Sequence, residues 1–143
     1  MRDANAEAKV VQSIDAKVYT SDENGASVDL QGYEGALIVM NFGISGDTLS
    51  ASLYVDVELE DSPDNSTWTN CEAGDIRGAQ SGLSAGVMRN VDAAAEDELS
   101  YQAAYVGTQR YIRPVYNITG THSNGMEFSC DVIKMFPRIK PAA

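Results

Sequence analysis

The 143 residues carry 21 acidic and 10 basic side chains, a formal net charge of -11, on a chain long enough for one domain whose core needs neither metal nor disulfide. A field of that sign repels nucleic-acid phosphates and anionic membranes, both of which are bound through basic surface. The longest apolar run, Ala36 to Met40, falls far short of the ~20 residues that cross a bilayer as a helix.

The acid is unevenly spread. Residues 101–143 balance at +3, whereas residues 1–100 carry -14. Residues 1–25 contain no apolar segment behind a basic start, so no secretory signal is expected. No repeat or low-complexity linker divides the chain. The expected organisation is an N-terminal arm (1–9), one β domain (10–136) and a C-terminal tail (137–143).

Period-two patterns dominate in chain order. Val10 to Tyr19 alternates imperfectly as a first strand, and Ser21-Asp22-Glu23-Asn24-Gly25 follows as a polar turn. Ala36 to Phe42, apolar apart from Asn41, reads as a strand buried on both faces. From Thr48 to Glu60 the alternation is clean, with Leu49, Ala51, Leu53, Val55, Val57 and Leu59 on one face. A hairpin through Asp61–Ser66 to Thr67–Cys71 is predicted from it. Residues 72–86 read as a long exposed loop. Asp92 to Glu98, rich in Ala and acid, is compatible with a helical turn or two between extended neighbours. Leu99–Val106 and Arg110–Thr119 are predicted to pair as a second hairpin through Gly107-Thr108-Gln109. Met126 to Met135 is the last strand, and Pro137 and Pro141 bracket a tail unsuited to a central strand. Seven to nine short strands separated by turn residues give an all-β class: an antiparallel β-sandwich or jelly-roll-like domain.

No motif for chemistry emerges. His122, the sole histidine, lies in a polar turn without a nucleophile signature and reads as an exposed turn residue. Cys71 and Cys130 are too far apart for a CxxC site and read as buried small hydrophobes. Asp61 to Asn65 departs from the calcium-loop spacing and reads as an ordinary Asx-type turn. Tyr101, Tyr105, Tyr111, Tyr116 and Trp68 fit half-buried strand positions, with a sugar-stacking platform as the alternative. The expectation is a protein that is not an enzyme and uses no cofactor or metal.

Two segments carry a resemblance. One is Leu59-Glu60-Asp61-Ser62-Pro63-Asp64-Asn65-Ser66-Thr67-Trp68-Thr69, and the other runs from Tyr105 through Arg110-Tyr111-Ile112-Arg113-Pro114 to Gly120. Preceded by Asp29-Leu30-Gln31-Gly32-Tyr33-Glu34, this order resembles small structural proteins of tailed-bacteriophage head modules over about residues 27–139. The resemblance implies a capsid decoration or cement protein, or a related head-spike component. Such a protein is made in the host cytoplasm and sits on the capsid exterior. It binds the major capsid protein as a homo-oligomer, with a trimer favoured by local symmetry. The same segments are also similar to discoidin-type carbohydrate-binding jelly rolls. Asn65-Ser66 stands where that pattern has Gly, and Pro114 interrupts it after Arg113. The expected capsid-binding residues are Lys134, Phe136, Arg138, Ile139 and Lys140 in the basic tail; the tail and the N-terminal arm are each a candidate anchor that orders on docking, with frayed ends as the alternative.

Overall fold

The computed structural model describes residues 3–140 and 142; Met1 and Arg2 of the predicted arm, and Pro141 and Ala143 of the tail, lie outside them. Two antiparallel sheets pack face to face as an all-β sandwich. The strands are β1 (Ala8–Tyr19), β2 (Glu23–Asn24), β3 (Val28–Asp29), β4 (Tyr33–Ser45), β5 (Tyr54–Ser62), β6 (Thr69–Asn70), β7 (Ile76–Arg77), β8 (Val87–Val91), β9 (Ser100–Tyr105), β10 (Tyr111–Thr119) and β11 (Met126–Pro137). One sheet has the order β1-β11-β4-β9-β7. The other runs β2-β10-β5-β6, with β3 on β10 and β8 on β5.

The core follows strand alternation. Ala36, Ile38, Met40 and Phe42 of β4 point inward with Phe128, Cys130 and Val132 of β11, against Val55, Val57 and Leu59 of β5 and Ile112 and Tyr116 of β10. Aromatic rings join the layers: Phe128 lies 4.8 Å from Phe42 and 4.9 Å from Tyr116, centroid to centroid. Such tilted pairs add to the burial of their area.

Several expectations are corrected. The β4 run is not buried on both faces, since Leu37 and Val39 alternate outward and stay partly exposed. The Thr48–Glu60 alternation becomes strand only from Tyr54, because Ser50 and Leu53 bridge each other in a tight turn. The hairpin from β5 to β6 exists but spans two residue pairs, Glu60↔Asn70 and Asp61↔Thr69; the long partner of β5 is β10. The second hairpin does not form. β9 pairs with β4 in one sheet and β10 with β5 in the other. Alternation reports which face of a strand is buried, not which neighbour it pairs with. Asp92–Glu98 forms turns, with Glu98 at φ 53° and its N–H donating to Gly43 O.

Two prolines sit inside the sheets. Pro114 occupies mid-β10 opposite Leu59. There Leu59 N–H donates to Gly86 O and Leu59 O accepts from Cys71 N–H, so it asks nothing of Pro114. On its other side Pro114 faces the gap between β3 and β2, where its carbonyl accepts from Gly25 N–H at 2.8 Å. The missing donor therefore breaks no ladder bond. Pro137 closes β11, a central strand, at its last pair with Tyr33, contrary to the expectation for the tail.

Candidate functional site

The five predicted tail residues come together at one end of the five-stranded sheet. After β11 the backbone is gripped from both sides. Phe136 N–H donates to Glu7 O (3.2 Å), Arg138 N–H to Gly32 O (2.9 Å) and Ala142 N–H to Ala6 O (3.1 Å). The described parts of arm and tail are thus held against each other, and the arm includes a short 3-10 turn at Ala4–Ala6.

Within this grip Phe136 adopts φ 57°, a left-handed conformation that a bulky residue rarely takes. Phe136 is 60% exposed, and Ile139, three residues on, is 84% exposed. The cations are partnered rather than free. Lys134 Nζ lies 4.4 Å from the Tyr33 ring centroid, Arg138 Nε is 3.8 Å from Glu34 Oε1, and Lys140 pairs with Glu7. Glu7 and Glu34 leave this end nearly neutral, so the basic character read from the tail alone is largely cancelled by residues from the other end of the chain.

Next to the tail opens a cleft of about 460 Å³, between the β3–β4 turn and the β9–β10 loop. Gly107 shapes it. A Cβ there would meet the Tyr105 ring at 2.5 Å, so only glycine lets the loop fold flat over that ring. Gln109 N–H then donates to the Tyr105 hydroxyl at 3.0 Å. Residues 107–109, predicted as a hairpin turn, instead clasp a buried tyrosine. Arg110 walls the cleft with both guanidinium arms on Asp29 (3.0 and 2.7 Å). That hydrogen bonding holds the Asp29 carboxyl below its ordinary range.

The side chains most suited to nucleophilic chemistry are turned inward. His122, expected to be exposed, is only 3% exposed; its Nε2 faces the carbonyls of Tyr54 and Thr119 at 3.3 and 3.2 Å. Cys71 and Cys130 are free, buried thiols, and burial pushes both well above the usual thiol range. In the Asp61–Asn65 loop the Asp64 carboxylate takes the N–H groups of Ser66 and Thr67 and the hydroxyls of Ser62 and Thr67. These bonds hold its pKa far below normal, as in an Asx-type turn. Among the described residues no three His, Cys, Asp or Glu side chains gather as a metal site.

The aromatic residues do not form one platform. Tyr105 and Tyr116 are fully buried, Tyr101 stacks edge-on against Phe42, and Trp68 is covered by Arg113 at 4.5 Å. Sequence reasoning missed the inward Asp61, although it continues the inward phase of Val55, Val57 and Leu59.

No protein-family model, curated protein or solved structure matches the chain.

Proposed function

We propose that this chain is a non-enzymatic virion protein that binds the outer capsid surface of a tailed phage and stabilises the head. Its docking site is the tail end formed by Lys134, Phe136, Arg138, Ile139 and Lys140. The observation that carries this reading is Phe136. A bulky residue is held in a left-handed backbone conformation by hydrogen bonds that the tail donates to carbonyls of arm and turn, and the result is an exposed Phe136 three residues before exposed Ile139. Backbone strain of this kind costs on the order of 1 kcal/mol and persists where surrounding structure enforces it. A preordered aromatic–aliphatic pair with neutralised charges around it has the make-up of an interface anchor.

The opposite surface supports an outward orientation. Asp56, Glu58 and Glu60 line the outer face of the six-stranded sheet, where like charge keeps crowded copies and particles apart. The partner under this reading is the major capsid protein, and neither nucleic acid nor membrane is engaged. The protein is made in the host cytoplasm and carried on the capsid exterior.

The test is to add the purified protein to heads that lack it and to measure binding and heat resistance of the particles. Binding with a gain in resistance, both lost in Phe136→Gly, is expected; the absence of binding and of any gain would refute the reading. The carbohydrate-binding alternative draws on the cleft beside Gln109 and Thr108, whose lining mixes polar and apolar groups. A glycan array with wild type and Gln109→Ala decides it.

A further inference from the structure

The outer face of the five-stranded sheet is unlike the rest of this surface. The strand registers build it row by row. Val10, Ile133, Leu37 and Ala104 stand side by side across β1, β11, β4 and β9, ending at Arg77 on β7. The next row is Gln12, Asp131, Val39 and Gln102. A polar row follows, in which Asn41 links Ser129 and Ser100 through hydrogen bonds of 3.5 and 2.7 Å. On β11, β4, β9 and β7 these rows carry only Asp131 and Arg77 as charges, one of each sign, on a chain of net charge -11; at the β1 edge the register shift sets Asp15 and Ala16 opposite Ser129.

We infer that this face pairs with the same face of a second copy, about a two-fold axis running along β4. Three observations select that occupant. First, two copies of so acidic a chain repel through other surfaces, such as the Asp56–Glu58–Glu60 face, and approach without that penalty only through a neutral one. Second, the face is complementary to itself about that axis. Because β4 is central in the order β1-β11-β4-β9-β7, the rotation sets β11 over the partner copy's β9 and keeps each row level. Large Ile133 then meets small Ala104, Asp131 meets the Gln102 amide, Ser129 meets Ser100, and Leu37 and Val39 meet their own counterparts. Aligned sheets pack at about 30°, which displaces side chains one strand from the axis by only roughly 2–3 Å, under half a row. Third, four strands and these three side-chain rows span roughly 400 Å² in projection. With side-chain relief this reaches the scale of the ~800 Å² that each partner buries in a standard interface.

The pairing stands independently of the capsid reading, and it has a consequence for it. An axis along the strands places both Phe136 tails at the same end of the pair, so that two anchors would face one surface together.

Sedimentation equilibrium of the full chain tests the inference directly. The expected mass is twice 15.3 kDa at micromolar concentrations, falling to one copy in Leu37→Lys, which would set two ammonium groups against each other on the axis. Val39→Cys should cross-link copies under mild oxidation, and Glu58→Cys on the acidic face should not. The cross-link decides the question even if Leu37→Lys fails to fold. A monomer at all concentrations, a trimeric mass, or a dimer that Val39→Cys does not link would overturn the proposal. None of these outcomes bears on whether the tail binds capsids.

Discussion

The Tyr105 hydroxyl donates to Asp61 Oδ2 at 2.9 Å, joining β9 of one sheet to β5 of the other inside the sandwich. Both side chains are buried, and burial is the main cause that raises the Tyr105 pKa, with Asp61 adding to it. The bond is a buried polar tie between the sheets, alongside the one in which Arg89 on β8 donates to the Tyr101 hydroxyl on β9 at 3.2 Å. It also explains the clasp by Gly107 and Gln109, which closes over the same hydroxyl.

Removing that donor strands Asp61 in the interior. Tyr105→Phe is expected to cost about 1–3 kcal/mol, read as a lower urea midpoint with unchanged slope. The contrast is Tyr116→Phe. The Tyr116 hydroxyl is buried without a hydrogen-bond partner among the described residues, so its removal should leave the midpoint unchanged or raise it. Equal losses in the two variants would refute this account.

Glu58 should respond to pH in the direction opposite to most carboxylates. Burial raises its pKa, more than the bonds from Asn117 and Asn70 lower it, and neighbouring Asp56 and Glu60 push it the same way as burial. A raised folded value means that the ionised form subtracts stability at neutral pH. That cost fades as pH falls through the raised value and is gone below the ordinary carboxylate value. Glu58→Gln is therefore expected to raise Tm at neutral pH and to give no gain below about pH 4. Asp29, held down chiefly by Arg110, behaves conversely: its contribution is present above the ordinary value and lost as pH falls.

Arg113 and Glu60 stand directly opposite on β10 and β5, Nε to Oε2 at 2.6 Å, with the guanidinium over the Trp68 ring. The planar fork satisfies both neighbours at once, which an ammonium cannot do. Trp68→Ala and Arg113→Lys should each cost about 1 kcal/mol, and the double variant less than their sum. Thermal unfolding of the three variants checks this; strict additivity would show that the stack and the ion pair act separately.

Phe136→Gly separates stability from docking. Glycine accepts φ 57° without strain, so the variant should gain about 1 kcal/mol in unfolding measurements while losing capsid binding. A destabilised variant would show that the exposed ring contributes to the fold and is not held out for a partner.

Much of the fold was legible because a strand has period two and a sandwich buries one face of each sheet. Val55, Val57 and Leu59 had to share a face, and the turn at Asp61–Ser66 followed from its Asp, Pro and Asn. The all-β class came from the same pattern. The inward position of Asp61 was implicit in it as well, but a polar residue ending an apolar phase looks like the edge of a turn until a hydroxyl appears opposite.

What the sequence could not decide was pairing. β9 and β10 are neighbours in the chain and lie in different sheets, because hydrogen-bond partners are chosen by core closure across long sequence separations. The same closure buried His122, which a polar turn had suggested was exposed. It also matched the basic tail with Glu7 and Glu34, so that a charge surplus along the chain became a nearly neutral surface. The net charge of -11 was fixed by composition alone. Only the tertiary structure concentrated Asp56, Glu58 and Glu60 on one outer face and left the middle of the other sparsely charged, because register rather than composition determines which side chains share a row.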